Sequence, residues 1–381
     1  MPAAKEPRAK LTELTVRGFK SIRDQTLQLS QLDVLIGANG AGKSNLIGFL
    51  RMIGFMLSSD TGLSGYVARA GGASSLLHNG PKLTREIEGE LCVETAQGRN
   101  DYYFRLGHAA SDTLIFLDER CRFSALGSAR PNRWIELGAG QKAPRILDAP
   151  KEESGRTRRT ILHLLQGLSV YHFHDTSDSS PIKQLGRIDD NRYLRGDAKN
   201  LAAFLLKMRE RESEHYRRIV STIRLVAPFF EDFVLDPEYQ SILLNWRDRS
   251  TGLVFGPGQL SDGTLRVMAL LTLLLQPASN MPQVLVLDEP ELGLHPYAVH
   301  IVAGAIKAAS LTNQCLIATQ SPTFLDEFEL NNVVVAERTD GESQFHRLDS
   351  EGLRQWLDEY RMSDLWDMNL LGARPEQMAA Q

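Results

Sequence analysis

The sequence predicts an α/β fold with a mainly parallel core sheet, and three segments carry this prediction. Asp33–Ile36 is a short, mostly apolar run that leads into a glycine-rich loop and an apolar helix over Asn45–Met56. Val284–Leu287 is a second apolar run and ends in two acidic residues, and Cys315–Ala318 is a third. Short apolar runs of this kind are typical of buried parallel strands, and their carboxyl ends form the edge where α/β sheets bind ligands.

The loop after the first strand reads Gly37-Ala38-Asn39-Gly40-Ala41-Gly42-Lys43-Ser44, which fits the pattern G-x-x-x-x-G-K-[ST]. Its three glycines permit the backbone to wrap an anion with inward N–H groups. Lys43 brings an ammonium group to the terminal phosphates, and Ser44 offers a hydroxyl to Mg²⁺. The helix that starts here adds its positive dipole end. The loop therefore predicts a nucleotide phosphate site.

Composition limits the other classes of function. The chain has 381 residues, 42% of them hydrophobic, with a net charge of -4 and a pI near 6.2. A globally basic nucleic-acid binder is not indicated, so DNA contact would need a local patch. Cys92, Cys121 and Cys315 form no C-x-x-C pair, which fits a reducing cytosol. The polar start and the absence of a long apolar run predict a cytoplasmic protein with no signal peptide and no membrane span.

Between the phosphate loop and the second apolar run lies a long insertion. Its first part predicts an antiparallel β subdomain of four strands, Glu86–Glu94, Asp101–Leu106, Thr113–Leu117 and Arg120–Ser124. Its second part, about 156–232, predicts a helical side lobe with helices from Thr160 and over Ala198–Val226. The basic residues of these helices are interpreted first as solvated faces, with phosphate-backbone contact as the alternative.

The run from Tyr171 to Asp178 contains His172, His174, Asp175 and Asp178. Two interpretations are open. One is a transition-metal site, which lacks a third cluster of ligands in the sequence. The other is a loop that touches the nucleotide or its Mg²⁺, and we favour this one.

The second apolar run supplies the other half of the predicted site. It ends in Asp288 and Glu289, followed by Pro290. Asp288 is predicted to hold Mg²⁺, because hard cations prefer oxygen ligands. Glu289 is predicted to orient and deprotonate the attacking water.

A helix over Gln259–Leu275 opens with Leu260-Ser261-Asp262-Gly263-Thr264. Ser261 or Asp262 is predicted to cap this helix. The N–H groups at such a helix start, with the Ser261 hydroxyl, are suited to receive a γ-phosphate.

The order of these motifs resembles an AAA-family ATPase of the RecF/SMC/OLD-like branch of the ABC-type ATPases. The order is phosphate loop, long insertion, signature, Asp288-Glu289-Pro290-Glu291-Leu292-Gly293-Leu294-His295-Pro296, then Thr319-Gln320-Ser321-Pro322. The start, Val16-Arg17-Gly18-Phe19-Lys20-Ser21, is similar to the N-terminal strand of that branch. The likeness covers roughly residues 11–350. Because the tail from Glu351 is short and has a helical pattern, we expect no Toprim nuclease domain within this chain and expect any effector to be a separate chain.

The resemblance implies a P-loop NTPase fold with an ABC-ATPase-like head. It implies that 37–44 is Walker A, that Asp288 and Glu289 are Walker B and the catalytic acid, and that Ser261, Asp262 and Gly263 are the signature. Gln320 stands where the family typically has a histidine switch; it can bond a γ-phosphate but cannot carry a proton. ATP and Mg²⁺ are the implied cofactors, and a head-to-tail homodimer with ATP between the subunits is the implied assembly.

The resemblance leaves the biological role open between two main hypotheses. The first is a dimeric ATPase switch that acts on DNA or on a separate effector protein, in DNA repair or anti-phage defence. The second is a nucleotide-binding scaffold with little turnover that holds a partner protein. A transporter ATPase is disfavoured, since no Q-loop is evident. The expected domains are a head over 11–348, with a β part at 86–124, a helical insertion at 156–232 and a signature and Walker B lobe at 241–348, then a helical tail over 349–381.

Overall fold

The computed structural model describes residues 9–58, 61–128, 132–148, 155–348, 353, 356 and 359–372. The strands are numbered along the chain: β1 Lys10–Phe19, β2 Ile22–Gln28, β3 Leu32–Ile36, β4 Glu86–Thr95, β5 Gly98–Ala109, β6 Thr113–Ala125, β7 Ile135–Glu136, β8 Leu168–Tyr171, β9 Gly186–Arg187, β10 Phe230–Val234, β11 Ser241–Ile242, β12 Asn245–Asp248, β13 Val254–Phe255, β14 Val284–Asp288, β15 Gln314–Thr319, β16 Val333–Thr339 and β17 Glu342–Arg347.

The helices of the described residues are numbered in the same way. They are α1 Lys43–Ser58, α2 Gly62–Arg69, α3 Gly155–Gln166, α4 Leu201–Arg211, α5 Ser213–Val226, α6 Asp262–Leu275, α7 Pro296–Ser310, α8 Pro322–Leu325 and α9 Met362–Asp367. The contacts divide the chain into two compact units, the first Met1–Ser169 with Glu329–Gln381 and the second Val170–Phe328.

The first unit contains an antiparallel sheet in the order β2-β1-β4-β5-β6-β7. Helix α1 packs on this sheet through aromatic side chains: the ring of Phe49 lies 5.3 Å from that of Phe19 and 6.1 Å from that of Phe104. Gly89 leaves room for this packing, since a Cβ there would meet the Phe104 ring at 2.4 Å. The unit also holds β3, which pairs in parallel with β16, and β17, which pairs antiparallel with β16.

Two of the four strands predicted for the β subdomain are one continuous strand, β6. Asp118-Glu119 has the composition of a turn, but the Glu119 carboxyl is buried and fully bonded. It accepts hydrogen bonds from the Tyr102 hydroxyl at 3.0 Å and from the backbone N–H groups of Arg145 at 2.7 Å and Ile146 at 2.9 Å. These hydrogen bonds satisfy the buried Glu119 carboxyl inside the strand. The local sequence pattern could not predict them, because the donors come from other segments.

The second unit contains the parallel pair β14 and β15, with Asp288 opposite Ala318 at the end of the register. Helix α6 is buried along most of its length and contacts α5 and α7. Small antiparallel sheets, β10-β12-β13 and β9-β11, complete this unit. Of the helices expected in the side lobe, α3 belongs to the first unit, and α4 and α5 belong to the second.

The tail predicted to be helical over 349–381 lies partly outside the described residues, and its described part contains α9. Within the described part of the chain, no helix combines the length and apolar character needed to cross a bilayer.

Candidate functional site

The phosphate loop connects a fully buried strand, β3, to α1, whose first residue is Lys43. Gly40 and Gly42 have φ angles of 83° and 109°, which favour glycine. Gly42 is also tightly enclosed, because a Cβ there would lie 2.0 Å from the Ser343 Oγ. Gly37 differs from the expectation: its φ is not positive, and glycine is required because a Cβ would lie 2.2 Å from the Ala336 carbonyl oxygen.

Lys43 is 6% exposed, and its ammonium lies inside the loop. The Nζ atom donates to the carbonyl oxygen of Gly37 at 2.6 Å and to that of Ala38 at 3.2 Å. Asn39 and Ser44 are exposed, so the Ser44 hydroxyl is accessible to a ligand. Ala41 closes a turn with its N–H 3.2 Å from the Ala38 oxygen.

A network of hydrogen bonds among side-chain hydroxyl and amide groups supports this loop. It was not predicted from the sequence. Ser21, at the end of the Arg17–Ser21 motif, has its Oγ 2.6 Å from the Ser343 Oγ. The Asn45 side-chain amide donates to the same Ser21 Oγ at 2.6 Å. Ser21, Asn45 and Ser343 are far apart in the chain. The only signal for their hydrogen bonds in the sequence was the N-terminal motif that contains Ser21.

In the second unit, the carboxylate of Asp288 is paired with a histidine. His172 Nδ1 lies 3.3 Å from Asp288 Oδ2, and the rings of His172 and His174 are 3.7 Å apart. His174 Nε2 lies 3.2 Å from the carbonyl oxygen of Asp288 and 3.3 Å from that of Glu289. Carbonyl oxygens only accept hydrogen bonds, so this nitrogen carries a proton. Burial, followed by the nearby His172, lowers the pKa of His174 below its ordinary value.

The four His and Asp residues of the 172–178 run do not converge on one point. Asp175 accepts from the Ser177 N–H and hydroxyl, and Asp178 lies 3.7 Å from the Lys183 ammonium. Across the described ranges, no group of three or more His, Cys, Asp or Glu side chains is arranged to hold a metal ion. The two histidines instead surround the end of β14.

Glu289 has a left-handed backbone, with φ 47°, although it is not glycine. Its N–H donates to the Ala318 carbonyl oxygen at 2.8 Å, and its own carbonyl accepts from Leu292 at 3.2 Å. A non-glycine residue held in this region stores local strain, and such residues concentrate at functional sites. The left-handed turn at Glu289 directly follows the strand that carries Asp288.

The signature residues begin α6. Ser261 is the N-cap and its Oγ accepts from the Thr264 N–H at 3.2 Å. Asp262 is 62% exposed, and its carboxylate lies 3.8 Å from the ammonium of Lys183, a side chain only 9% exposed. The position of Gly263 is close-packed, because a Cβ there would lie 2.6 Å from the Gly293 carbonyl oxygen.

Arg266 links this helix start to both neighbouring segments. Its guanidinium donates to the carbonyl oxygens of Leu292 and of His174, both at 2.9 Å. The signature helix, the segment after Glu289 and the histidine loop are therefore one hydrogen-bonded group within the second unit. The apolar pattern of the helix gave no indication that Arg266 has a structural role, because Arg266 lies among apolar residues in the sequence.

Gln320 follows β15 and precedes Ser321, the N-cap of α8, whose Oγ accepts from the Phe324 N–H at 3.2 Å. Thr319, just before it, is fully buried, while Gln320 is half-buried. The structure thus places Gln320 at a fixed turn between two regular elements.

The residues present fit a nucleotide and Mg²⁺. Gly42 forms a cradle that any side chain would fill, and Lys43 provides a cation within it. The oxygen donors offered by Ser44 and Asp288 are of the kind that Mg²⁺ prefers.

Comparison with known proteins identifies the family and the fold. Over residues 34–326 the chain matches the family described as "AAA domain, putative AbiEii toxin, Type IV TA system". No curated protein matches the chain. Among solved structures, an SmcHead bound to the C-winged helix domain of ScpA is similar, with a TM-score of 0.60 and 18% identity over 91% of this chain and 99% of that one.

A second similar structure is the Smc head domain with an extended coiled coil bound to the C-terminal domain of ScpA derived from Pyrococcus furiosus. Its TM-score is 0.56 and its identity 15%, over 92% of this chain and 99% of that one. These likenesses show a shared fold. The family match spans more than half of the chain, so the chain belongs to this AAA family, and its fold is the P-loop fold of the ABC-type, SMC-like ATPase heads.

Proposed function

We propose that this protein is an ATP-binding and ATP-hydrolysing switch that works as a homodimer in the cytoplasm. The observation that carries the proposal is the end of β14. There Asp288 is held by His172, and the next residue, Glu289, is held in a left-handed conformation by main-chain bonds. A strained acidic residue beside a positioned carboxylate suits one acid that holds a cation and another that acts on water.

In the proposed mechanism the loop 37–44 holds the triphosphate, with Lys43 facing the terminal phosphates. Ser44 and Asp288 are the residues that would hold Mg²⁺, which when bound neutralises charge on the phosphates. Glu289 orients the attacking water and takes its proton. Gln320 donates a hydrogen bond to the γ-phosphate from its side-chain amide, a role that needs no titratable group.

The signature is proposed to act on the nucleotide of the other copy. Asp262 lies within the signature, and its negative charge would oppose a phosphate. Lys183 lies 3.8 Å from this carboxylate and offsets the charge, so the Ser261 hydroxyl and the helix start can still face an anion. Two-fold symmetry then gives two equivalent ATP sites.

We propose that the ATP cycle acts on DNA or on a separate effector protein, in DNA repair or anti-phage defence. The description of the matching family names an AbiEii toxin and a Type IV TA system, and both similar SMC heads are described as bound to a ScpA domain. Both facts favour a partner protein. The proposed domains are a head over 11–348 and a tail over 349–381.

A nucleotide-binding scaffold with little turnover is the second candidate. It is favoured by one observation, Gln320, which cannot accept or donate a proton as a histidine can. The strained Glu289 opposes it, since a scaffold has no use for a positioned acid.

The dimer is tested by sedimentation of Glu289→Gln with and without ATP and Mg²⁺. A slow variant should accumulate as an ATP-dependent dimer. Adding Ser261→Asp should abolish that dimer, because aspartate keeps the helix cap but places a second negative charge at the signature. A matched variant, Ser250→Asp, changes an exposed serine in a turn after β12 and should leave the dimer intact. An ATP-dependent dimer that survives Ser261→Asp would contradict the proposed role of the signature.

A further inference from the structure

Glu291 lies in the turn after β14, two residues beyond the catalytic candidate Glu289. It is only 8% exposed. The turn is held by its main chain, since Leu294 donates to the Glu291 carbonyl oxygen at 3.0 Å. Glutamate is almost never buried to this degree without a partner. The partners of this carboxyl therefore indicate what the residue is for.

One carboxyl oxygen, Oε1, is bonded to the hydroxyl of Thr319, the last residue of β15. That hydroxyl also accepts from the Ser321 N–H at 2.9 Å. The Thr319 hydroxyl therefore donates its one proton to Glu291 while its oxygen accepts from Ser321. The chain of bonds from Glu291 through Thr319 to Ser321 fixes the residues on both sides of Gln320.

The other oxygen, Oε2, is buried and has no hydrogen-bond partner in the described part of the chain. The charged and titratable groups on the packed elements are all engaged elsewhere or are negative. They are Asp288 and Glu289 at the end of β14, His174 on the loop against it, Arg266 on α6 and His295 at the start of α7. Among the described residues, no cation forms an ion pair with the Glu291 carboxyl.

This environment favours the neutral acid. Burial raises the pKa of Glu291 to about 7, the hydrogen bond from Thr319 acts in the opposite direction, and the charge of Glu289 adds to the rise. The carboxyl therefore exchanges its proton close to neutral pH, beside the residues proposed to act on ATP.

We propose that Glu291 is a positioning residue for Gln320, and that it acts in its neutral form. Through Thr319 it fixes the turn that carries Gln320, and without a charge it adds no repulsion to Glu289 or to a triphosphate. This inference rests on the proposed ATPase function. It assigns a pH-dependent control to a residue that lies outside the phosphate loop, the two Walker B acids and the signature.

The first test compares the pH profiles of ATP turnover. Glu291→Gln keeps an acceptor for Thr319 and is permanently neutral, so its kcat at pH 6.5 should stay within about threefold of the wild type. Wild-type kcat should fall between pH 6.5 and 8.5 with a midpoint near the pKa of Glu291, whereas Glu291→Gln should lose this step. The same step in both proteins would overturn the proposal.

The second test asks whether Glu291 acts through Gln320. Thr319→Val removes the hydroxyl at nearly constant volume and should lower kcat at least tenfold with the KM for ATP within about threefold; Thr319→Ser should restore kcat. In a Gln320→Ala background, Thr319→Val should have little further effect, because the positioned group is gone. If the losses in kcat caused by Thr319→Val and Gln320→Ala are fully additive, the proposal is overturned. This test does not depend on the stability of Glu291 variants.

The two levels of failure can be told apart. If the wild-type protein binds ATP without hydrolysing it, the proposed function fails. If it hydrolyses ATP and Glu289→Gln does not, but Glu291→Gln keeps the wild-type pH step, only the inference about Glu291 fails.

Discussion

The ammonium of Lys43 is bonded to two carbonyl oxygens of its own loop, those of Gly37 and Ala38. These bonds hold a buried cation at the centre of an anion site. Lys43→Ala should weaken ATP binding at least tenfold, measured by calorimetric titration, because no other described residue of the loop is cationic. Lys307→Ala is the control, since that exposed lysine donates to the Glu327 carbonyl and should leave ATP affinity unchanged. Equal affinities for all three proteins would contradict the role of Lys43.

His172 is the residue that orients the Asp288 carboxylate, with 3.3 Å between the Nδ1 and Oδ2 atoms. Loss of a group that orients a metal ligand commonly lowers metal affinity by about 10–100-fold. His172→Ala should therefore raise the Mg²⁺ concentration that gives half-maximal ATP turnover about tenfold or more. His300→Ala, an exposed histidine paired with Glu327, should leave this concentration unchanged. An unchanged Mg²⁺ requirement in His172→Ala would mean that Asp288 is oriented without it.

At the scale of elements, the phosphate loop depends on the fit of Gly42 between β3 and α1. Gly42→Ala combines a φ of 109° with a Cβ 2.0 Å from the Ser343 Oγ, so the loop must distort. Strain of this kind is worth about 1–3 kcal/mol. We expect lower thermal stability and loss of ATP binding. Gly304→Ala, in the exposed middle of α7 with open space around it, should instead be stabilising by up to about 1 kcal/mol.

The turn after β14 predicts a pH dependence of stability. Because the pKa of Glu291 rises from 4.5 to about 7 on folding, the folded protein keeps a proton that the unfolded chain releases between these values. The stability contributed by this group is complete below pH 4.5 and is lost as pH rises through about 7. The free energy of unfolding of the wild type relative to Glu291→Gln should fall by about 3 kcal/mol across this window. Urea unfolding of both proteins from pH 5 to 8 measures it, and parallel curves would contradict it.

The elements of the phosphate site were predictable because their signals are local. The apolar run Asp33–Ile36 lies in β3, and Ser261 caps α6 as predicted. Other features depend on residues distant in sequence. The hydrogen-bond partners of Ser21 and of Glu119 come from distant parts of the chain. The network that supports the phosphate loop and the continuity of β6 therefore could not be predicted from a short stretch of sequence. Near Asp288, the pattern suggested a loop at His172 but not its pairing with the carboxylate.

At the scale of the whole molecule, the net charge bears on whether the ATP cycle acts on DNA or on a partner protein. The net charge of -4 gives no general attraction to DNA, so DNA binding would have to come from a local surface. Binding of a partner protein requires no such local basic surface. The effect of DNA on turnover therefore separates the two kinds of partner.

The most direct measurement of the central claim is ATP turnover by the purified protein with Mg²⁺, with and without linear DNA, beside Glu289→Gln. The account predicts measurable turnover by the wild type. It also predicts that Glu289→Gln binds ATP with similar affinity and loses at least about 100-fold in kcat, since removal of a general base typically has an effect of 10²–10⁴-fold. Stimulation by DNA would identify DNA as the partner. ATP binding without turnover in the wild type, under either condition, would contradict the account and leave the nucleotide-binding scaffold as the function.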